Sequence, residues 1–296
     1  MTTRQQAEAL DYFRSFADDW KRKALSTADT RVNVIKQRNG YVLNVIARRH
    51  ETRRMLDVGC GTGELVNEAA RRGMAATGVD FADEMIEIAQ SKARDEELGK
   101  ASFICASIFD LDLPEAAYDV IAANGFIEYI SHGELEQLLS LSHKALSREG
   151  SLVIGSRNRL FNLVSLNSYT TAELEGGYAA QLLQEAVALA SALPLALLLD
   201  TEPAPLQQAH TQQANTGIDV STRYQFTPVQ LMKMLHQKGF DIQEVFPIHI
   251  HGVPPAFKGE QPAVHTSISN LLQQYAGEYR SLIPFASSFM IHATKA

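Results

Sequence analysis

The run Leu56-Asp57-Val58-Gly59-Cys60-Gly61-Thr62-Gly63-Glu64-Leu65 sets glycines at alternate positions between two carboxylates. Such glycines let the backbone take positive φ and let a ligand approach with no Cβ in the way. A short apolar stretch, Met55–Val58, precedes them and a helical pattern follows from Glu64, so the loop sits at the carboxyl end of a strand, where open α/β sheets bind ligands. A second apolar stretch, Ala75–Val79, ends in Asp80, whose carboxylate can accept both hydroxyls of a ribose. The spacing is G-x-G-x-G rather than the G-x-G-x-x-G of dinucleotide enzymes. Glu64 at the helix start would also repel a pyrophosphate docked on the helix dipole. A ligand with a ribose, no phosphate and a positive centre fits better, and S-adenosylmethionine has all three.

Asp57-Val58-Gly59-Cys60-Gly61-Thr62-Gly63 followed by Gly78-Val79-Asp80 resembles the cofactor signature of class I S-adenosylmethionine-dependent methyltransferases. Within them the chain is most similar to the small-molecule branch that includes the ubiquinone-biosynthesis O-methyltransferases. The likeness covers about residues 30–155 well and the regions 224–246 and 285–293 more loosely. It implies a cofactor-binding loop of Asp57, Gly59, Cys60, Gly61 and Gly63, in which Asp57, Gly59 and Gly61 meet the methionine part and ribose and Cys60 is a small neutral filler. Asp57 could instead only cap the loop. Asp80 would take the ribose hydroxyls, Phe81 and Met85 would flank the adenine, and Ala106-Ser107-Ile108 would offer backbone to its edge, although Met85 also suits a helix core. Asn124, Gly125 and Phe126 would line the passage to the methyl group. Arg38 lies within one residue of an arginine that grips the cofactor carboxylate in the quinone-type enzymes, with Gln37 and Asn39 as neighbours able to substitute. The Glu-His pair that the family often carries after its fourth strand reads Glu128-Tyr129 here, with His132 further on. That departure removes the family's histidine base at this position.

Methyl transfer is an in-line displacement that needs donor and acceptor held near attack, and a hydroxyl acceptor also needs its proton removed. His249 and His251 end a later apolar run, and alternation along a strand would point both to one face. They are the candidate catalytic residues, as general base. No metal is expected, because no carboxylate or third ligand at suitable spacing accompanies them. Arg157 and Arg159 leave the fifth strand, either to bind an acidic substrate group or as solvated loop charges.

Stepping from these residues to the elements that hold them, strands at Met55–Val58, Ala75–Val79, Ser102–Ala106, Tyr118–Ala122 and Ser151–Gly155 alternate with helices at Gly63–Arg72, Ala82–Glu97 and Gly133–Leu146. That rhythm predicts an α/β, Rossmann-like fold of the class I methyltransferase type, a mostly parallel seven-stranded sheet with helices on both faces and a helical lid insertion. Thr227 as N-cap and Pro228 at N1 open a helix over Val229–Lys238. Strands Phe240–Phe246 and Phe285–Ala293 then close the sheet as an antiparallel pair. Two N-terminal helices, over 4–25 with Tyr12, Phe13 and Trp20 and over about Val32–Arg49, precede the core. The expected units are a helical cover over 1–50, a cofactor-binding core over 51–156, a lid over 157–222 with a helix near Ala172–Leu199, and the rest of the core over 223–296.

With 296 residues, 45% apolar and 21% charged, the chain has ample material for one core plus an insertion. Its net charge of −7 argues against a nucleic-acid partner, since the arginines at 48, 49, 53, 54, 71 and 72 fall at the amino edge of the sheet. Cys60 and Cys105 fit neither a disulfide framework nor a metal spacing. The polar N-terminus and the short apolar stretch Ala186–Leu199 suggest neither a signal peptide nor a membrane span, so a cytoplasmic location is expected. The expected partner is a small-molecule methyl acceptor, and a homodimer stays open. The reading from another class is an NAD(P)-dependent oxidoreductase on a similar sheet. A third is a non-catalytic S-adenosylmethionine-binding protein.

Overall fold

The computed structural model describes residues 4–16, 32–49, 52–191, 193–207 and 223–296. Trp20 of the expected first helix and residues 208–222 of the expected lid lie outside the described residues. Helices α1 (Arg4–Ser15) and α2 (Val34–Ala47) precede the core. The chain then runs β1 (Arg54–Val58), α3 (Glu64–Arg71), β2 (Ala75–Asp80), α4 (Asp83–Asp95) and β3 (Ala101–Cys105). It continues through β4 (Tyr118–Asn124), α5 (His132–Ala145) and β5 (Leu146–Arg157).

The strands form one seven-stranded sheet of order β3-β2-β1-β4-β5-β7-β6, in which β6 is Phe240–Ile250 and β7 is Ala286–Lys295. Strands β1 to β5 pair in parallel, and β7 runs antiparallel to both β5 and β6. The central strands are buried on both faces, as helix-covered parallel strands must be. Leu56, Ile121 and Leu152 join one core cluster, and their neighbours Met55, Val120 and Val153 join the other. The sequence order reverses between β1 and β4, which makes a crevice at their carboxyl ends.

The helix expected over Ala172–Leu199 is instead a series of shorter ones. After α6 (Asn162–Ser165) come α7 (Ser168–Glu175), α8 (Ala179–Ala190) and α9 (Leu195–Leu198). Gly177, at φ +74°, separates α7 from α8, and Pro194 caps α9. Leu182, Ala186 and Leu189 of α8 pack into the main core with Phe226 and Leu231. Much of this insertion is therefore core rather than a detached flap. Helix α10 (Pro228–Gln237) starts as its sequence predicts, with a capping box between Thr227 and Gln230.

Strand β6 continues past Phe246, because Pro247 pairs with Phe289 on an edge strand, where a missing N–H is tolerated. Two helices that the sequence reading left unassigned follow, α11 (Pro255–Glu260) and α12 (Pro262–Gln273). The basic rim is largely paired, Arg48 with Glu244, Arg54 with Asp119, and Arg71 and Arg72 with Glu68. Among the described residues no helix is long and apolar enough to cross a membrane.

Candidate active site

The glycine loop is built by the end of β1. Gly59, Gly61 and Gly63 all hold positive φ, at +69°, +51° and +78°. The amides of Gly59 and Cys60 donate to the Val79 carbonyl, at 2.8 and 3.1 Å, and tie the loop to β2. Asp80 completes the tie, its Oδ2 accepting from the Gly61 amide at 2.9 Å and its Oδ1 from the Ala82 amide at 3.0 Å. A carboxylate has about four acceptor sites, so each oxygen keeps capacity for a ligand hydroxyl. A Cβ at Gly61 would meet no atom within 4 Å, whereas one at Gly59 would stand 2.8 Å from the Phe126 ring. Gly61 thus presents open backbone, and Gly59 lets the β1 and β4 loops pack closely.

A cavity of about 650 Å³ opens over this loop. It is lined by Arg38, Asp57, Gly59, Cys60, Gly61, Asp80, Phe81, Met85, Ala106, Ser107, Ile108, Asn124, Gly125, Phe126, His249 and His251. Gly63 is absent from the lining. Its place is structural, since a Cβ there would lie 2.8 Å from Ala89 and from the Phe103 ring. Ala9 and Phe13 of α1 also reach the cavity, and Phe13 packs edge-on against Tyr129 at 5.2 Å.

The loop end of the cavity is acidic. Burial, with Asp80 and Glu64 close by, raises the Asp57 carboxyl well above the usual carboxylate range. Burial also raises Asp80, against the backbone hydrogen bonds that favour its ionised form. A ligand cation placed here relieves that mutual repulsion. Glu64 accepts from the Thr62 hydroxyl and pairs with Lys92, so its expected repulsion of a phosphate is partly neutralised. The Cys60 thiol is pushed up by burial, which keeps it an inert filler.

Arg38 stands on the inner face of α2, one turn before the buried Tyr41 and Val42. Its guanidinium covers Gly125, where a Cβ would fall 2.1 Å from Nη1. Nη2 donates to Ser288 Oγ at 2.8 Å and pairs with Glu128 at 3.3 Å, and Nε has no partner among the described residues. Glu128, buried, also faces Arg223 at 3.8 Å. It is thus held between two arginines. His132 is turned away from the cavity and packs on Tyr224 at 4.5 Å.

The far end of the cavity carries Arg157, Arg223, Lys258, Tyr169, Gln225 and Asn162 beside His249 and His251. Arg157 lies over the Tyr169 ring at 5.7 Å. Arg159, paired with it in the sequence reading, does not reach the cavity. It is buried in a bidentate ion pair with Glu173, at 2.9 and 2.7 Å, so it is neither a substrate ligand nor a solvated loop charge.

His249 and His251 do share a face, with ring centroids 4.1 Å apart. They reach it through a break in β6, for His249 has φ +56° and its amide donates to the side chains of Gln37 and Gln273. Burial lowers both rings, His249 well below the ordinary histidine value and His251 to about 3. Both rings are thus shifted below the value that the sequence reading expects of a general base.

The sequence reading also missed a third histidine. His265 on α12 is buried, and its Nε2 lies 3.1 Å from His249 Nε2. Pro262 at the helix start, with Val264, Ile268 and Leu271 at helical spacing, was the available signal. It was misleading as to face, since Val264 and Leu271 are exposed while His265, Thr266 and Ser269 point inward.

A family model for a methyltransferase domain matches residues 55–150. Malonyl-[acyl-carrier protein] O-methyltransferase of Bacillus cereus is 32% identical over 133 residues, 43% of this chain and 47% of that protein. Magnesium-protoporphyrin O-methyltransferase of Rhodobacter capsulatus is 34% identical over 40% of this chain and 55% of its own length. The mitochondrial ubiquinone biosynthesis O-methyltransferase of Mus musculus is 33% identical over 36% of this chain and 29% of its own. The chain thus spans only about a third to a half of the curated relatives it matches.

Among solved structures, magnesium protoporphyrin IX methyltransferase from Synechocystis PCC 6803 with bound SAH superposes with a TM-score of 0.59 at 16% identity, over 99% of this chain and 100% of that one. The [4+2]-cyclase SpnF superposes at 0.56 with 18% identity, over 98% and 96%. Both likenesses concern the fold, which hosts more than one chemistry. Residues 55–150 thus match a methyltransferase domain, set in a chain whose fold is that of the solved methyltransferases.

Proposed function

We propose that the chain transfers a methyl group from S-adenosylmethionine to an oxygen of a small-molecule metabolite bearing an acidic group. The observation that carries this reading is the polarity of the single cavity. Asp57, Asp80 and an open glycine loop stand at one end and Arg157, Lys258 and the histidines at the other, with Glu128 held between Arg38 and Arg223. The cofactor supplies an electrophilic methyl group on a cationic sulfur.

In this reading Asp80 accepts the ribose hydroxyls while keeping its bonds to the loop. Asp57 and the loop backbone face the positive methionine end, and Arg38 offers its unpaired Nε–H to the carboxylate. Phe81 and Met85 flank the adenine, with the backbone of Ala106, Ser107 and Ile108 at its edge. Arg157, Arg223 and Lys258 hold the acidic group of the acceptor, and Asn124, Gly125 and Phe126 shape the passage between the two halves. Their task is to hold the acceptor oxygen in line and near attack, from which most of the acceleration of such a transfer comes. The named relatives are O-methyltransferases, which supports oxygen as the acceptor atom.

Residues 1–50 act as a cover and 157–222 as a lid in this proposal. The support is that Phe13 and Tyr169 line the cavity from those segments. The G-x-G-x-G spacing favours this cofactor over a dinucleotide, whereas Asp80 would serve the ribose of either. The test is incubation of the full chain with S-adenosylmethionine and a library of hydroxy acids, carboxylic acids and amines, read by mass spectrometry. Gain of one CH2 unit by acidic oxygen acceptors is expected. Saturable cofactor binding with no turnover across the library would favour a binding protein instead.

A further inference from the structure

We propose that His249, His251 and His265 bind a divalent transition-metal ion at the acceptor end of the cavity, with Zn2+ the ion they suit best. One ligand nitrogen from each ring can be chosen so that all lie within 4.8 Å of one another, and all three residues are buried. Tetrahedral Zn2+ takes imidazole nitrogens at about 2.0–2.1 Å, which sets neighbouring ligand nitrogens about 3.3 Å apart. His249 Nε2 and His265 Nε2 already stand at 3.1 Å.

The site is oriented as metal sites are. Ser287 Oγ lies 3.1 Å from His249 Nδ1, so this nitrogen can donate and leave Nε2 with its lone pair inward. The left-handed backbone of His249, a strained conformation of the kind that collects at functional sites, is held by Gln37 and Gln273.

A purely structural histidine cluster explains less. Among the described residues the ring-to-ring hydrogen bond joins His249 and His265, and both nitrogens of His251 are buried without a partner, so that an ion would satisfy one of them. Helix α12 turns His265, Thr266 and Ser269 inward and leaves Val264 and Leu271 outside, the reverse of a helix that packs for stability alone. Lys258 and Arg38 line the same cavity as His249 and His251, so an anionic fourth ligand would offset their charge. His249 and His251 line the cavity, so that position is open to an acceptor oxygen. This last consequence rests on the methyl-transfer reading, whereas the ion site does not.

Co2+ titration of the untagged full chain after chelator treatment tests the proposal. A visible absorption band of tetrahedral Co2+ saturating at one equivalent, and lost on adding Zn2+, is expected. His265→Ala, which removes a side chain outside the cavity lining, should abolish stoichiometric binding while S-adenosylhomocysteine affinity stays unchanged. Ser287→Ala should weaken the ion ~10–100-fold. No saturable band in the wild-type chain overturns the proposal whatever the variants do, as does full Co2+ binding by a folded His265→Ala. Failure to bind S-adenosylhomocysteine would speak against the cofactor reading and leave the ion result standing.

Discussion

At the loop end of the cavity, Asp57, Gly59, Gly61 and Asp80 come from one β-α-β unit and are tied to each other by backbone hydrogen bonds. At the acceptor end, Arg157, Arg223, His249 and His265 arrive from the end of β5, the segment before α10, β6 and α12. They meet only through tertiary packing. The first half is dominated by the Asp57 and Asp80 carboxylates, whereas the second mixes Arg157, Arg223 and Lys258 with the buried histidine cluster. The contrast implies that donor binding and acceptor chemistry can be broken separately.

His251→Ala tests that separation with the largest expected effect. Methyl transfer should fall ~10²–10⁴-fold, the usual share of a group that activates the acceptor. The Kd for S-adenosylhomocysteine, measured by calorimetry, should be unchanged. Loss of both together would mean that the two halves are one coupled unit.

Asp80→Ala is the converse. It should weaken S-adenosylhomocysteine by about 2–4 kcal/mol through two lost charge-assisted hydrogen bonds. Near-native circular dichroism should accompany the loss. An unchanged Kd in the folded variant would remove Asp80 from the site.

The glycines sharpen the comparison within the donor half. Gly63→Ala should destabilise the fold by ~2–3 kcal/mol, combining left-handed strain with overpacking against Ala89 and Phe103. Gly61→Ala, with open space around it, should cost only ~1 kcal/mol of stability yet hinder ligand approach. Urea unfolding measures the first difference and calorimetry the second. Equal stability losses would show that Gly63 has no packing role.

The smallest effect lies away from both halves. Burial lowers His292 to about 4, beside Ser151 Oγ at 2.9 Å. Because the folded value lies below the unfolded one of about 6.5, its contribution to stability is present above that pH and lost as pH falls toward 4. Between about pH 7 and about pH 5 the share of this residue should reach ~2 kcal/mol, and His292→Gln should remove that share while His249 and His251, also lowered by burial, keep theirs. An identical acid profile in the variant would show that another group controls it.

The same contrast governs what could be read from residues alone. The parallel strands, the loop and Asp80 were legible because their signals are local, apolar runs ending in glycines or a carboxylate. Strand β6 was foreseen only to Phe246, since Pro247 reads as a breaker until an edge position is known. Gly63 was grouped with the ligand contacts because spacing cannot tell a glycine facing a cavity from one facing Ala89 and Phe103. Arg159 looked like Arg157, and only the fold reveals Glu173 beside it. His265 was invisible, because a buried polar helix face defeats the apolar pattern that normally marks the inward side.

The most direct test of the account is calorimetric titration of the full wild-type chain with S-adenosylhomocysteine and, in parallel, with NADH. The predicted result is saturable one-to-one binding of S-adenosylhomocysteine and no heat from NADH. Saturable NADH binding with no response to S-adenosylhomocysteine would contradict it.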